Sequence, residues 1–460
     1  MNVFLILKNL PRPLLLLGLL GLLLGLGLYR KGQLQEKTAR IEIVTFTKHH
    51  ARLYQPVVDQ WNDRPGNPPV DINLVVFPAL KQLMMNSTFS GRGFTDVVEI
   101  ESRIASQLFA APVEDILLKD LRPVLEADGL LERINPPSLA PWTREGRIFG
   151  IPEDMHPVLL AYRADLVEEA GLSLEGVETW EQFFQRLRPL VRDLDGDGIT
   201  DRYLINFWPT QRVDFTGVYL LQRNPRMITA DGRIHLDTPI MAETLADLLL
   251  WCLGPDRVAA EVPHFTAATY QLIRQGYVVA MPLPDWYSQL LINNLPGLSG
   301  KFKVMPLPAW EPGGRRTSVW GGTMMSFFRD SENFEQSWSL AKELLLNRDA
   351  AAERYRQTGI VAPLPGYWDH PAFAEPHPFF SNQKVGKLFI EQAPHLPERY
   401  ASPYQEQALQ QVQRILIATR EKAEARKLYQ REELIPLIAE QLETAQSRLD
   451  RIMERNPFYP

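Results

Sequence analysis

Between residues 41 and 100 the chain alternates short β-branched runs with helically spaced ones, and this alternation restricts the fold more than any other feature. Ile41-Glu42-Ile43-Val44-Thr45-Phe46 reads as a strand, and Tyr54, Val57, Val58 and Trp61 then recur at helical spacing up to Asn62. Val70 to Phe77 alternates and is β-branched, and Asp96-Val97-Val98-Glu99-Ile100 is a third, buried strand. Strand, helix, strand at this separation predicts a parallel α/β sheet. The middle of the chain repeats the mixture, with strands over Pro157–Tyr162 and Tyr277–Met281 and a helix over Trp180–Val191. Gln405 to Met453 is different: rich in Gln, Glu, Arg, Ala and Leu, with apolar residues spaced for two long helices (Leu409, Val412, Ile415, Leu416, then Leu434, Leu437, Ile438, Leu442). A solvated packing pair is the plainer reading of these helices, and a coiled-coil dimer is the alternative. A chain of 460 residues has room for two or three domains.

Composition removes several classes. Hydrophobic residues are 45% and charged residues 23%, ordinary globular usage. The net charge of −6 argues against nucleic acid as a partner, which would call for a concentrated basic face. One cysteine, Cys252, leaves no disulfide framework within the chain. Leu14 to Tyr29 is an uncharged apolar run flanked by Lys8, Arg12, Arg30 and Lys31. As a helix it would span ~24 Å, short of a ~30 Å hydrocarbon core unless the basic flanks snorkel. No small-residue cleavage site follows the run before Ala39. An uncleaved signal-anchor over residues 1–32 is the expectation, with a stalk over 33–40; a cleaved signal peptide is the alternative.

Two constellations could carry chemistry. Asp193, Asp195, Asp197 and Asp201 occupy positions one, three, five and nine of a loop with Gly198 at six, and the Ile199 carbonyl falls at seven. This is the front half of a calcium loop, in which a cation neutralises carboxylates that would otherwise repel. Position twelve is Leu204 and not the bidentate Glu of the full pattern, so a structural Ca2+ and a plain Asp/Gly turn both remain open. The second constellation is aromatic: Trp208, Trp286, Tyr287, Trp320 and Trp368 lie in turn-rich or strand-end contexts near Glu101, Glu153, Asp154 and Asp285. Flat rings suit the C–H faces of sugars, and carboxylates accept from hydroxyls. Core packing is the ordinary alternative for any single ring. No G-x-S-x-G, H-E-x-x-H or P-loop is present, and Cys252 sits in an apolar run, so no catalytic residue is assigned and no catalytic cofactor is expected.

The order of several short motifs resembles the extracellular solute-binding proteins of bacterial ABC importers, of the carbohydrate-binding type related to maltose-binding protein. They are Ile41–Phe46 with the Trp61 helix, Thr95-Asp96-Val97-Val98, Phe149-Gly150-Ile151-Pro152, and Leu160-Ala161-Tyr162-Arg163-Ala164-Asp165-Leu166. Ala170-Gly171-Leu172, the Glu178–Phe183 helix start, Ala280–Trp286, Trp320-Gly321-Gly322-Thr323 and the Ser331 to Trp338 helix follow. The resemblance covers residues 41–450. It implies the type II periplasmic-binding-protein fold: two α/β lobes, each a mainly parallel sheet flanked by helices, joined by hinge strands. Lobe one would take 41–153 and 322–364, lobe two 154–321 and 365–460. It also implies a cleft that binds ligand through Thr47, Lys48, Glu101, Ser102, Asp154, Trp208, Asp285, Trp286, Tyr287, Trp320, Gly321, Gly322 and Trp368. Phe46-Thr47 stands where the family often has a tryptophan, and the lipid-anchoring cysteine of many relatives is absent.

The function so implied is the substrate-binding component of an ABC transporter. It would capture a carbohydrate, expected to be an oligosaccharide, and deliver it to permease subunits, working as a monomer anchored on the periplasmic face of the inner membrane. A membrane-anchored sensor feeding a kinase or chemoreceptor is the alternative from another class. A periplasmic carbohydrate-active enzyme is a third.

Overall fold

The computed structural model describes residues 40–209, 213–223 and 225–456. The first strands and helices run β1 (Ile41–Thr45), α1 (Lys48–Asn62), β2 (Val70–Leu74), α2 (Phe77–Ser90), β3 (Val97–Glu101) and α3 (Ser102–Leu108). Later strands are β4 (Thr143–Arg144), β5 (Arg147–Ile148), β6 (Ile151–Pro152), β7 (Val158–Arg163), β8 (Tyr203–Asn206), β9 (Ala259–Ala260), β10 (Val278–Pro284), β11 (Phe302–Pro306) and β12 (Thr323–Phe327). The later helices used below are α4 (Trp180–Leu187), α5 (Val213–Arg223), α6 (Pro239–Leu250), α7 (Asp285–Asn294), α8 (Phe334–Leu345), α9 (Arg348–Thr358), α10 (Gln405–Arg426) and α11 (Arg431–Met453).

Two five-stranded sheets result, in the orders β2-β1-β3-β12-β6 and β11-β7-β10-β8-β9. Their inner strands, such as β7, β10 and β12, are apolar at most successive positions because both faces are covered. Ile41 and Ile43 pack with Tyr54, Val58 and Trp61 of α1, whereas Val44, on the opposite face, packs with Leu80 and Met84 of α2. In β7, Val158 and Leu160 enter one core and Leu159 and Ala161 another.

The sheets are mixed, not mainly parallel as expected. β1 pairs in parallel with β2 and β3, but β12 runs antiparallel to β3 and β6. In the second sheet β10–β8 and β8–β9 are parallel, while β7 is antiparallel to β10 and β11. The reason lies in where the chain crosses. Thr323, the first residue of β12, pairs with Glu101, the last of β3. A strand that enters a sheet at the edge where its neighbour ends must run back against it.

The predicted elements are present with shifted ends. α1 begins earlier than its apolar spacing suggests because the Thr47 side chain caps it, accepting from the His50 amide at 3.0 Å. β2 stops at Leu74 and Phe77 opens a helix, since Pro78 in the first turn favours that start. α4 is capped by a Thr179/Gln182 box and gives way at Arg188-Pro189-Leu190 to a 3-10 turn.

The two C-terminal helices bury their apolar faces within the chain. Val412, Leu416, Ile438 and Leu442 pack with Leu245 and Leu249 of α6. These faces are therefore already covered without a second copy. Cys252 is buried beside them, its thiol directed at the Phe207 carbonyl (3.4 Å), and burial pushes its pKa up. Among the described residues no helix is long and apolar enough to cross a membrane. The anchor expected over 1–32 lies outside the described residues, as does the stalk except for Arg40.

Candidate functional site

The chain passes from the first sheet to the second between β6 and β7 and returns between β11 and β12. These crossings border a cavity of about 530 Å³. One wall comes from strand ends of the first sheet: Phe46 and Thr47 after β1, Glu101 and Ser102 at β3. Ligands in open α/β sheets collect at the carboxyl ends of strands for the same geometric reason. The opposite wall is aromatic. Trp286 and Trp320 meet edge to face with centroids 5.4 Å apart, and Phe265 lies 5.6 and 5.7 Å from them. Trp286 Nε1 donates to the Trp320 carbonyl at 2.8 Å, which fixes the ring.

Behind this wall His156 sits between two buried carboxylates. Its Nδ1 is 2.6 Å from Asp285 Oδ1 and its Nε2 is 2.9 Å from Asp154 Oδ2. Burial alone would lower the His156 pKa, but the two carboxylates overcome it and raise it to about 10. Asp154 is held low against its own burial by that imidazolium and by Thr323. Asp154 accepts from the Thr323 amide at 3.2 Å, and Asp285 accepts from the amides of Trp286 (2.7 Å) and Val361 (2.9 Å).

A second buried cluster lies under the first wall. Glu99 accepts from Thr45 Oγ1 (2.9 Å) and Tyr54 (3.0 Å) and pairs with His50 Nδ1 (2.8 Å). Burial opposes charge on His50, but Glu99 and the acids beyond raise its pKa to about 9. Burial and the neighbouring Glu99 push the Glu153 carboxyl up to about 8.

A profile of bacterial extracellular solute-binding proteins matches residues 47–351. The chain belongs to the bacterial extracellular solute-binding protein family. Two arabinooligosaccharide-binding proteins are similar in sequence: that of Halalkalibacterium halodurans, 26% identical over 347 residues (73% of this chain, 74% of the relative), and that of Bacillus subtilis, 24% identical over 331 residues (71% and 72%). Among solved structures, the sugar-binding protein MalE of Xanthomonas citri superposes with a TM-score of 0.72 at 17% identity, covering 90% of this chain and 99% of that one. A binding protein of B. animalis subsp. lactis Bl-04 in complex with beta-1,6-galactobiose gives 0.64 at 14% identity (91% and 98%). At such identities these structures speak to the fold.

For a solute-binding protein the placement of the expected ligand contacts matters most. Thr47, Glu101, Ser102, Trp286, Trp320, Gly321 and Gly322 come together around the cavity. Lys48 is exposed at the start of α1 and is not in the lining. Asp154 and Asp285 are buried one layer back, holding His156, which does line it. Tyr287 packs in the core 4.9 Å from Phe265. Trp208 is half-buried after β8, and Trp368 donates to the Ala362 carbonyl at 2.9 Å; neither lines the cavity. The motifs did not reveal His50, His156, Phe265 or Arg399 as lining residues. Only the acidic neighbours of His156 hinted at a buried cation there.

Among the described residues, two acidic groups have ligand atoms close enough for a metal ion: His50, Glu99 and Glu153 in the buried cluster, and the exposed Asp193, Asp195 and Asp197. In the first, Glu99 is taken up by Thr45, His50 and Tyr54, while Glu153 Oε1 has no hydrogen-bond partner among the described residues. In the second, Asp193 accepts from the amides of Gly196 and Gly198 (both 2.7 Å), and Asp197 accepts from Ile199 (2.7 Å). Those amides hold Asp193 below the ordinary carboxylate value. Asp201 accepts from the Leu194 amide at 2.8 Å, closing the loop.

Proposed function

We propose that this solute-binding protein captures an oligosaccharide in the cavity between its two sheet-centred halves and hands it to the permease subunits that membership in the family implies. Membership likewise implies an extracytoplasmic, non-enzymatic role. The observation that carries the reading is the aromatic wall of Trp286, Trp320 and Phe265 facing the polar edge of Thr47, Glu101 and Ser102 across one cavity. Rings stack on sugar C–H faces while the polar edge takes the hydroxyls. Names of the similar proteins, arabinooligosaccharide-binding in both bacilli, favour the same ligand class.

The lobes would be 41–153 with 322–364, and 154–321 with 365–460. Ligand touching both would raise the closed population by its differential affinity. Residues 1–32 would serve as an uncleaved anchor, the monomer working at the membrane surface. The Asp193–Asp201 loop would hold a structural Ca2+ through Asp193, Asp195, Asp197, the Ile199 carbonyl and Asp201.

The deciding experiment is a thermal-shift panel of arabino-, malto- and galacto-oligosaccharides. A bound sugar raises Tm with the logarithm of its concentration over Kd once the site is saturated. Trp286→Ala should retain the ligand-free melting transition and lose the shift. A panel with no shift for any glycan would end the carbohydrate reading.

A further inference from the structure

Arg399 is a cation of the cavity whose Nε has no hydrogen-bond partner among the described residues. That Nε is also sealed from solvent. Every other charge in the lining is already matched. Arg103 Nε holds Glu101 at 2.8 Å, His50 holds Glu99 at 2.8 Å, and His156 lies between Asp154 and Asp285. Burial and the neighbouring cations His50 and Arg52 lower the His49 pKa below the ordinary imidazole value.

Glu101 and Asp154 act on Arg399 only through space, and their oxygens are taken. Glu101 accepts from Ser102 Oγ at 2.9 Å besides Arg103, and Asp154 accepts from the Thr323 amide at 3.2 Å besides His156. Burial holds the Arg399 guanidinium below its ordinary value, as expected where desolvation outweighs that distant support. The backbone has also made room for this side chain. A Cβ on Gly322 would come within 2.5 Å of Arg399 Nη2.

We propose that Arg399 is a specificity-determining residue that receives a carboxylate of the ligand, so that the oligosaccharide taken by this protein carries a uronic acid. A guanidinium offers parallel N–H donors matched to two carboxylate oxygens, whereas a sugar hydroxyl fills one and restores no charge. This inference rests on the carbohydrate reading of the cavity.

The test is calorimetric titration of the wild-type protein with uronic-acid oligomers (galacturonate, glucuronate-substituted xylan and alginate fragments) and with their carboxyl-reduced, neutral counterparts. The expected result is an acidic oligomer bound about 10–100-fold more tightly than its reduced form, the range of a hydrogen bond to a charged group. Arg399→Met should bring that ratio close to one, and Arg399→Lys, which keeps charge but loses the fork, should leave it intermediate. Unchanged circular dichroism and melting would establish that the variants fold; the wild-type ratio needs no variant at all. Binding of neutral oligosaccharides with no gain from the carboxylate overturns the assignment to Arg399 and leaves the receptor reading standing. No binding of any glycan overturns both.

Discussion

At pH 7 the imidazole of His156 is charged, because two carboxylates within 3 Å outweigh its burial. Its folded pKa, raised from 6.5 to about 10, means the folded state holds a proton that the unfolded chain releases. The associated stability is fully present below about pH 6.5 and is lost as pH rises towards 10. His50, raised to about 9, and Glu153, raised to about 8, act in the same direction. Urea denaturation should therefore show the wild type losing roughly 2–4 kcal/mol between pH 6.5 and 9.5, with a shallower loss in His156→Gln. A flat profile would contradict the charged His156. Gly322 is a second residue with a sharp expectation. Its φ is +124°, and a methyl group there would strike Arg399. Gly322→Ala should cost about 1–3 kcal/mol in stability, measured by melting, and should weaken ligand binding by displacing the guanidinium. Much of the cavity was readable because it gathers at strand ends: Trp286 opens the helix that follows β10, and Trp320, Gly321 and Gly322 lead directly into β12. Arg399 was not readable, since it stands in an irregular stretch and the lack of a partner for its Nε is a property of three dimensions.

Among the elements, the start of α1 carries the most direct consequence. Thr47 both caps this helix and lines the cavity. Thr47→Ala should cost about 1 kcal/mol in chemical denaturation and Thr47→Ser much less, since the hydroxyl does the capping. The Asp193–Asp201 loop gives another. If it takes Ca2+, millimolar calcium should raise Tm and a chelator should lower it, and Asp195→Asn should abolish both responses. No calcium response in the wild type would leave the loop as a hydrogen-bonded turn. The strands were legible because burial writes short, mostly apolar runs, as in β1, β3 and β7. Sheet polarity was not. Strand pattern carries no direction, and the antiparallel entry of β12 beside β3 follows from where the chain returns across the molecule.

Over the whole molecule, three segments that run between the cores converge on one buried ion group. Asp154 and His156 come from the first, Thr323 from the end of the second, and Val361 donates to Asp285 from the third. Asp285→Asn should therefore cost about 3–5 kcal/mol, because it leaves His156 and its backbone donors poorly matched in the interior. Glu406 makes a useful contrast. It pairs with Lys81 at 3.1 Å across the molecule but is well exposed. Glu406→Gln should cost under about 1 kcal/mol by the same measurement. That pair spans α2 and the N-terminal end of α10, so its two ends belong to opposite sides of the proposed closure. The chain's sole thiol, shut inside the core at Cys252, gives these positions a practical value. A maleimide dye will ignore it in the native protein, so cysteines introduced at Lys81 and Glu406 would be the only sites to take a fluorophore pair. Contact quenching between two such dyes would then report whether the pair has separated, with no background from the native sequence.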